Sequence, residues 1–472
     1  MQQTIQLEPK KRTIMLILLV LGSFTSLLNQ TLLNVAIPKF SIIFNIELST
    51  AQWLVTGFLL INGIVIPMSA YLIGKFTTRQ LFIGALLIFA TGTFISAMAS
   101  SFYMLLAGRL IQAVAGGVMM PLVHIVIFSL FPPNERGKAM GMIGIAMTFA
   151  PALGPTLSGW LLQHYSWRAL FYVVLPFTLL NIILCYFFLK NVTETTSPRF
   201  DIFGVLASTI GFGSLLYGFS MAGTLGFGST TIQVIIGVGL LFITLFIWRQ
   251  LTTEHPMLNL RVFTHKQYLY ATLIGAFIAL AMYSVELLTP VLLQQIMQKS
   301  TLQTGLLLLP GAIIMGIMSP IAGSILDKRG IRPLVLVGLT VVFMTALGYT
   351  RITLDTNAIV ISIIYTLFLF GISIMMMTMT TFSVNQLSPA LSRHGAAVTN
   401  TTRMLAGSIG TALLTTILST VSARSYEKVQ HLPDANMQAQ LSGIHAAFFV
   451  IMVGSIIMLF LAVKLKRNVN HN

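Results

Sequence analysis

Glu286 is the single acidic residue that falls well inside a long apolar stretch of this 472-residue sequence. The remaining Asp and Glu residues fall in tails or between such stretches. Desolvation disfavours the ionised form of a carboxylate, so a buried one takes up a proton readily and gives it back when water reaches it. That is the property of a proton carrier. The alternative is a neutral glutamic acid hydrogen-bonded near the edge of the apolar layer. Two cations also fall in apolar stretches. Arg109 shares a helical face with Gln112, Ala113, Gly116 and Met120, by the 3.6-residue period. It needs an acceptor or a wet cavity. It is either a group that tunes a neighbouring ionisation or holds a ligand, or a structural tie to carbonyls on the next helix. Arg403 stands near the beginning of its stretch and is expected to snorkel to the interface.

Uncharged polar groups make a second set. Ser26 and Asn29 share a face with Gly22, and Gln30 and Asn34 lie nearby. Such residues glue helices together or line a cavity that accepts uncharged polar groups. A later stretch carries Gly144, Thr148, Pro151, Pro155 and Ser158 as a stripe, with Gly154 and Gly159 beside it. Small residues let backbones approach and prolines impose bends, so this helix is expected to flex between two halves of the molecule. Met375, Met376, Met377 and Met379 form a run that suits a promiscuous apolar surface. Met376 is a candidate cavity residue, although a run of this kind more commonly faces lipid.

Several chemistries are excluded or unsupported. One cysteine, Cys185, rules out an intramolecular disulfide. There is no Gly-x4-Gly-Lys-Ser/Thr phosphate loop, and no triad, dinucleotide motif or metal-ligand cluster. His124 and His445 have no second ligand at a usable spacing. An enzyme, a cofactor and a metal are therefore not expected.

The elements that must position these residues follow from composition. The chain is 56% hydrophobic and 8% charged, against about 25% charged in soluble proteins, so most of its exterior faces lipid. A spanning helix needs about 20 apolar residues, and only helices or closed barrels satisfy their backbone in lipid. Fourteen spans are expected, near 13–35, 51–73, 80–100, 103–128, 139–161, 168–190, 202–222, 229–249, 268–290, 304–326, 333–350, 357–382, 398–420 and 443–463. Lys10, Lys11 and Arg12 precede the first, which is read as an uncleaved span. With both termini in the cytoplasm, most of the 27 Lys and Arg residues fall on the inner side, as the positive-inside rule requires. The net charge of +16 thus reflects insertion, and nucleic acid is not an expected partner.

A repeat is also legible. The basic turn at 70–79, which includes Arg79, has a counterpart at 323–332, with Asp327 and Gly330. Pro38 and Pro290 are offset by nearly the same interval. The expected organisation is a six-helix bundle over 1–190, a linker with two extra helices over 191–267, and a second bundle over 268–472. Parallel repeats of this kind enclose a site near the membrane midplane.

Taken together these residues resemble the major facilitator superfamily, in its fourteen-spanning drug/proton antiporter branch, and loosely its lincomycin-resistance-like subgroup. The resemblance rests on Leu28–Pro38, Gln52–Leu60, Gly108–Ala113 and Ala150–Gly159. It implies proton coupling through Arg109 and conformational gating through Pro151, Gly154, Pro155, Gly159, Arg79, Asp327 and Gly330. It also implies export of small lipophilic compounds by a monomer in a bacterial plasma membrane. The sequence departs from the family pattern at Asn29, where an acid is usual, at Gly74, where an Asp is usual, and at Thr77, where a Gly is usual. The missing first-span acid shifts attention to Glu286.

Overall fold

The computed structural model describes residues 8–46, 48–51, 53–132, 135–193, 195, 201–253, 256, 258–431 and 434–466. Within the helices, the side chains of Asn34, Pro38, Thr148, Pro151 and Pro155 lie outside the described set, as does Gln52 altogether.

The described chain is all-helical. Its α-helices are α1 (Pro9–Phe44), α2 (Leu48–Ala51), α3 (Trp53–Lys75), α4 (Thr78–Ala97), α5 (Phe102–Leu130), α6 (Arg136–His164), α7 (Ala169–Tyr172), α8 (Val174–Phe188), α9 (Ile202–Leu225) and α10 (Thr230–Thr252). They continue with α11 (Lys266–Val291), α12 (Thr301–Arg329), α13 (Ile331–Tyr349), α14 (Ala358–Asn385), α15 (Pro389–Val429) and α16 (Ala435–Val463). Every expected span coincides with one of these, with α7 and α8 together taking the sixth. Among the described residues, 13 helices are long and apolar enough to cross a membrane. The fifth expected span, α6, is not one of the 13, although it runs for 29 residues.

Local chemistry sets the helix ends. Thr77 and Gln80 form a reciprocal capping box at the start of α4, and Ser300 and Gln303 form another at α12. Each satisfies backbone N–H groups that a helix start otherwise leaves open. Gly330 joins α12 to α13 with φ +77°, a left-handed value that side-chain-bearing residues adopt at a cost.

The packing follows the chain. Helices α1, α3, α4, α5, α6 and α8 pack on one another, and so do α11 to α16. Helix α9 lies on α3 and α15, and α10 packs chiefly on α9. The outer face of α10 leaves Val234, Leu240, Leu241 and Trp248 exposed, the apolar surface a lipid-facing helix presents. The largest helix–helix interface joins α6 to α12.

Two expectations are corrected. Met375, Met376, Met377 and Met379 are all buried and face protein. Met375 closes on Gly338 of α13, and Met377 lies against Gly144 of α6. Lipid is as apolar as a protein core, so hydropathy alone does not separate the two settings. Arg403 does not snorkel: it is 7% exposed and lies about 21 Å along α15 from its start, at about 1.5 Å per residue. Helix α15 begins at Pro389, well before the apolar run, and this carries Arg403 about four turns into the helix.

Candidate functional site

Arg109 is fully buried on α5. One Nη1 donates both to the side-chain oxygen of Asn29 on α1 and to Oε1 of Gln112 at 2.7 Å. Its Nε donates to the Leu54 carbonyl of α3 at 3.4 Å. The guanidinium lies over the Phe58 ring, 4.4 Å from its centroid, a favourable placement for a cation. Gln112 passes the chain on, donating to Thr93 Oγ1 of α4 at 2.7 Å, and Thr93 donates to the Phe89 carbonyl at 2.7 Å. Four helices therefore meet on one charge. No ion pair reaches Arg109 among the described residues. A dry cation without a counter-ion is expensive, and neutral acceptors and a π face offset only part of that cost. Arg109 Nη2 and Asn29 Nδ2 remain buried without a partner.

The helices approach closely enough to build this cluster because of their glycines. A Cβ on Gly108 would meet the Gly92 carbonyl of α4 at 2.8 Å, and one on Gly116 would meet Nδ2 of Asn62 at 2.8 Å. Ser26 is buried on α1 and faces Gly116, and Gln30 is half-buried on the same helix. Asn62, Phe58 and Thr93 carried no signal in the sequence. Each is an ordinary residue of an apolar span until Arg109 is placed beside it.

Glu286 is half-buried on α11, and Tyr283 and Tyr365 lie within electrostatic reach of it. The structure does not bring it to Arg109, whose hydrogen bonds run to α1 and α3 and, through Gln112, on to α4.

A third arrangement joins the two groups of helices at one end. Asp327, near the end of α12, accepts from the backbone N–H groups of Gly137 and Lys138, both at 2.9 Å. These are the first turn of α6, whose own N-cap residue, Glu135, makes no side-chain cap bond. A carboxylate from another helix thus caps α6, where the helix dipole also favours negative charge. Arg136 donates to Asn385 Oδ1 of α14 at 2.8 Å and to the Phe128 carbonyl of α5 at 2.7 Å. Below this the backbones touch. A Cβ on Gly323 would lie 2.0 Å from the Gly137 carbonyl, and one on Gly141 would lie 2.5 Å from Pro320 Cα.

The rest of α6 turns to α1. Thr31 Oγ1 donates to the Ala150 carbonyl at 3.1 Å, and a Cβ on Gly154 would meet that hydroxyl at 2.2 Å. Gly154 thus serves a contact between α1 and α6, whereas the contact with α12 falls to Gly137, Gly141 and Gly144. Gly159 has open space around it. Arg79 donates to the Tyr186 carbonyl and covers the Tyr186 ring at 4.7 Å. It ties α4 to α8.

Comparison with known proteins bears on what this framework does. The family model described as Major Facilitator Superfamily matches residues 19–411. An uncharacterised MFS-type transporter of Bacillus subtilis, YcnB, is 42% identical over 99% of this chain and 98% of its own length. The lincomycin resistance protein LmrB of the same organism is 38% identical, covering 96% of this chain and 95% of its own. The crystal structure of the human organic anion transporter MFSD10 superposes with a TM-score of 0.68 at 15% identity, over 97% of this chain and 100% of that one. At that identity the likeness concerns the fold alone. With bacterial relatives matched over nearly its whole length, the chain belongs to the major facilitator superfamily, as a multi-pass membrane transporter rather than an enzyme.

Proposed function

We propose that the protein expels small lipophilic compounds from a bacterial cell in exchange for protons, by alternating access. In this reading α6 is a further span, which makes fourteen, and both termini face the cytoplasm. The halves 1–190 and 268–472 rock about a central cavity, and 191–267 carries the two additional helices between them. One chain is the working unit. Ser26, Asn29, Gln30, Asn34, Gln112 and Met376 are the candidate cavity groups. Glu286 carries the proton, and Arg109 tunes or relays it. Pro151, Gly154, Pro155, Arg79, Asp327 and Gly330 take part in the change of shape, whereas Gly159, with open space around it, has no packed contact through which to do so.

The observation that carries the reading is the Arg109 cluster, a dry guanidinium on neutral acceptors with two donors left open. Such a charge is poised to respond when a proton or a substrate changes the field around it. The names of relatives such as the lincomycin resistance proteins support the direction of transport. Carbon-labelled lincomycin and a panel of lipophilic drugs, supplied to cells with and without the protein, provide the test. Lower accumulation that a protonophore abolishes is expected. Higher accumulation of any panel compound would make the protein an uptake system and overturn the proposal.

A further inference from the structure

His124 of α5 and Arg403 of α15 are unused by the cluster at Arg109, and both are more than nine-tenths buried. Asn400 connects them. Its amide nitrogen donates to His124 Nδ1 at 3.1 Å and to the Ala396 carbonyl at 3.1 Å. Nδ1 therefore accepts, and the neutral ring carries its proton on Nε2. That Nε2 has no partner, and neither does Nη1 of Arg403. Asn400 and Arg403 are one helical turn apart and so share a face. The Arg403 charge acts on both the His124 ring and Tyr283. Tyr283 comes from α11, where its ring lies against Gly407.

An unpaired N–H in a dry interior bears its full desolvation cost, and the cost is larger on a charged group. Two such donors, one of them cationic and one helical turn from the Asn400 amide that bonds His124, lack the same thing: an accepting oxygen. No aspartate or glutamate forms an ion pair with Arg403 among the described residues. Glu286 also acts on Tyr283 but is not paired with Arg403, so the Arg403 charge favours an anion over a lipophilic cation.

We propose that His124 and Arg403 form a substrate subsite that binds a carboxylate, sulfonate or similar anionic oxygen between α5 and α15. The proposal rests on the export reading for its substrate, but binding can be measured without transport. The subsite spans the two groups of helices, since α5 packs in the first and α15 in the second. Entry of an anionic oxygen satisfies Nε2 of His124 and Nη1 of Arg403 together.

The test uses the full chain in phosphatidylcholine nanodiscs and two xanthene dyes of similar size, anionic carboxyfluorescein and cationic rhodamine 123. Fluorescence anisotropy gives the two affinities. Carboxyfluorescein is expected to bind at least tenfold more tightly. Arg403→Gln should weaken carboxyfluorescein at least tenfold and leave rhodamine 123 unchanged or stronger, and His124→Phe should weaken it by a smaller factor. Arg403→Lys, which keeps the charge if the glutamine variant fails to fold, should retain the preference for the anion. Equal binding of the two dyes, no binding of carboxyfluorescein, or unchanged affinity in Arg403→Gln would each overturn the subsite. A tenfold loss of carboxyfluorescein binding when phosphatidylglycerol replaces phosphatidylcholine in high salt, which screens the charge of the lipid surface, would reassign the site to a lipid headgroup. Failure of drug export in cells with dye selectivity intact would count against the export reading and leave the subsite standing.

Discussion

Asn29 on α1 accepts a hydrogen bond from the guanidinium of Arg109 on α5, and both side chains are fully buried. An amide stands here opposite an arginine that makes no ion pair among the described residues. The pair ties the two helices while leaving the positive charge uncompensated. In the proposed antiport the negative charge that carries the proton thus lies elsewhere, and Glu286 on α11 is the candidate.

Asn29→Ala removes one of the acceptors of a buried cation. Hydrogen bonds to charged groups contribute about 1.5–3 kcal/mol, so thermal unfolding in detergent should move to lower temperature by an amount of that order. Asn29→Asp supplies a counter-ion and should move it the other way. A midpoint unchanged by both substitutions would show that the contact carries no net energy.

Asp327→Asn leaves the first turn of α6 without its charged cap. A charge at a helix N-terminus contributes about 0.3–1 kcal/mol, and up to about 2 kcal/mol when partly buried. The population closed at this end should fall several-fold. Spin labels at Lys138 and Lys328, both exposed, in a Cys185→Ser background, report the separation of α6 and α12. The distance distribution should broaden toward longer values in the variant; identical distributions would remove Asp327 from the latch.

Two glycines that look alike in sequence should behave differently. Gly323→Ala places a methyl group 2.0 Å from the Gly137 carbonyl, a backbone atom with no room to rotate away. Closure at that end should be lost, and drug export should drop to a tenth or less. Gly159→Ala meets nothing within 4 Å, and export should stay within about twofold, as for substitutions away from any packed feature. Equal losses in the two variants, measured in the cell accumulation assay, would contradict the packing account.

The spans were legible because lipid forces helices and helices need length. The face of Arg109 was legible because one helix fixes its own periodicity. What meets that face was not. Asn29 could be named a cavity candidate, but nothing in the chain spacing joins it to Arg109. The approach of Gly137 and Gly141 to Gly323 and Pro320 crosses between helices far apart in sequence, and a glycine in a span carries no mark of its partner. Arg403 misled because apolarity marks the start of a span, whereas α15 begins in the polar segment that precedes it. Asn400, which joins His124 to Arg403, is an isolated amide in a run of threonines and had no pattern to betray it.

In the proposed antiport, protons exchange for drug through Glu286. Its most direct test is proton movement into proteoliposomes when drug is added under an imposed pH gradient, with the unchanged protein and Glu286→Gln side by side. Drug-driven proton flux is expected in the first, and flux at or below a tenth of it in the second, with drug binding retained. Equal flux in both would place the proton on another residue, and no flux in either across the drug panel would contradict the antiport mechanism itself.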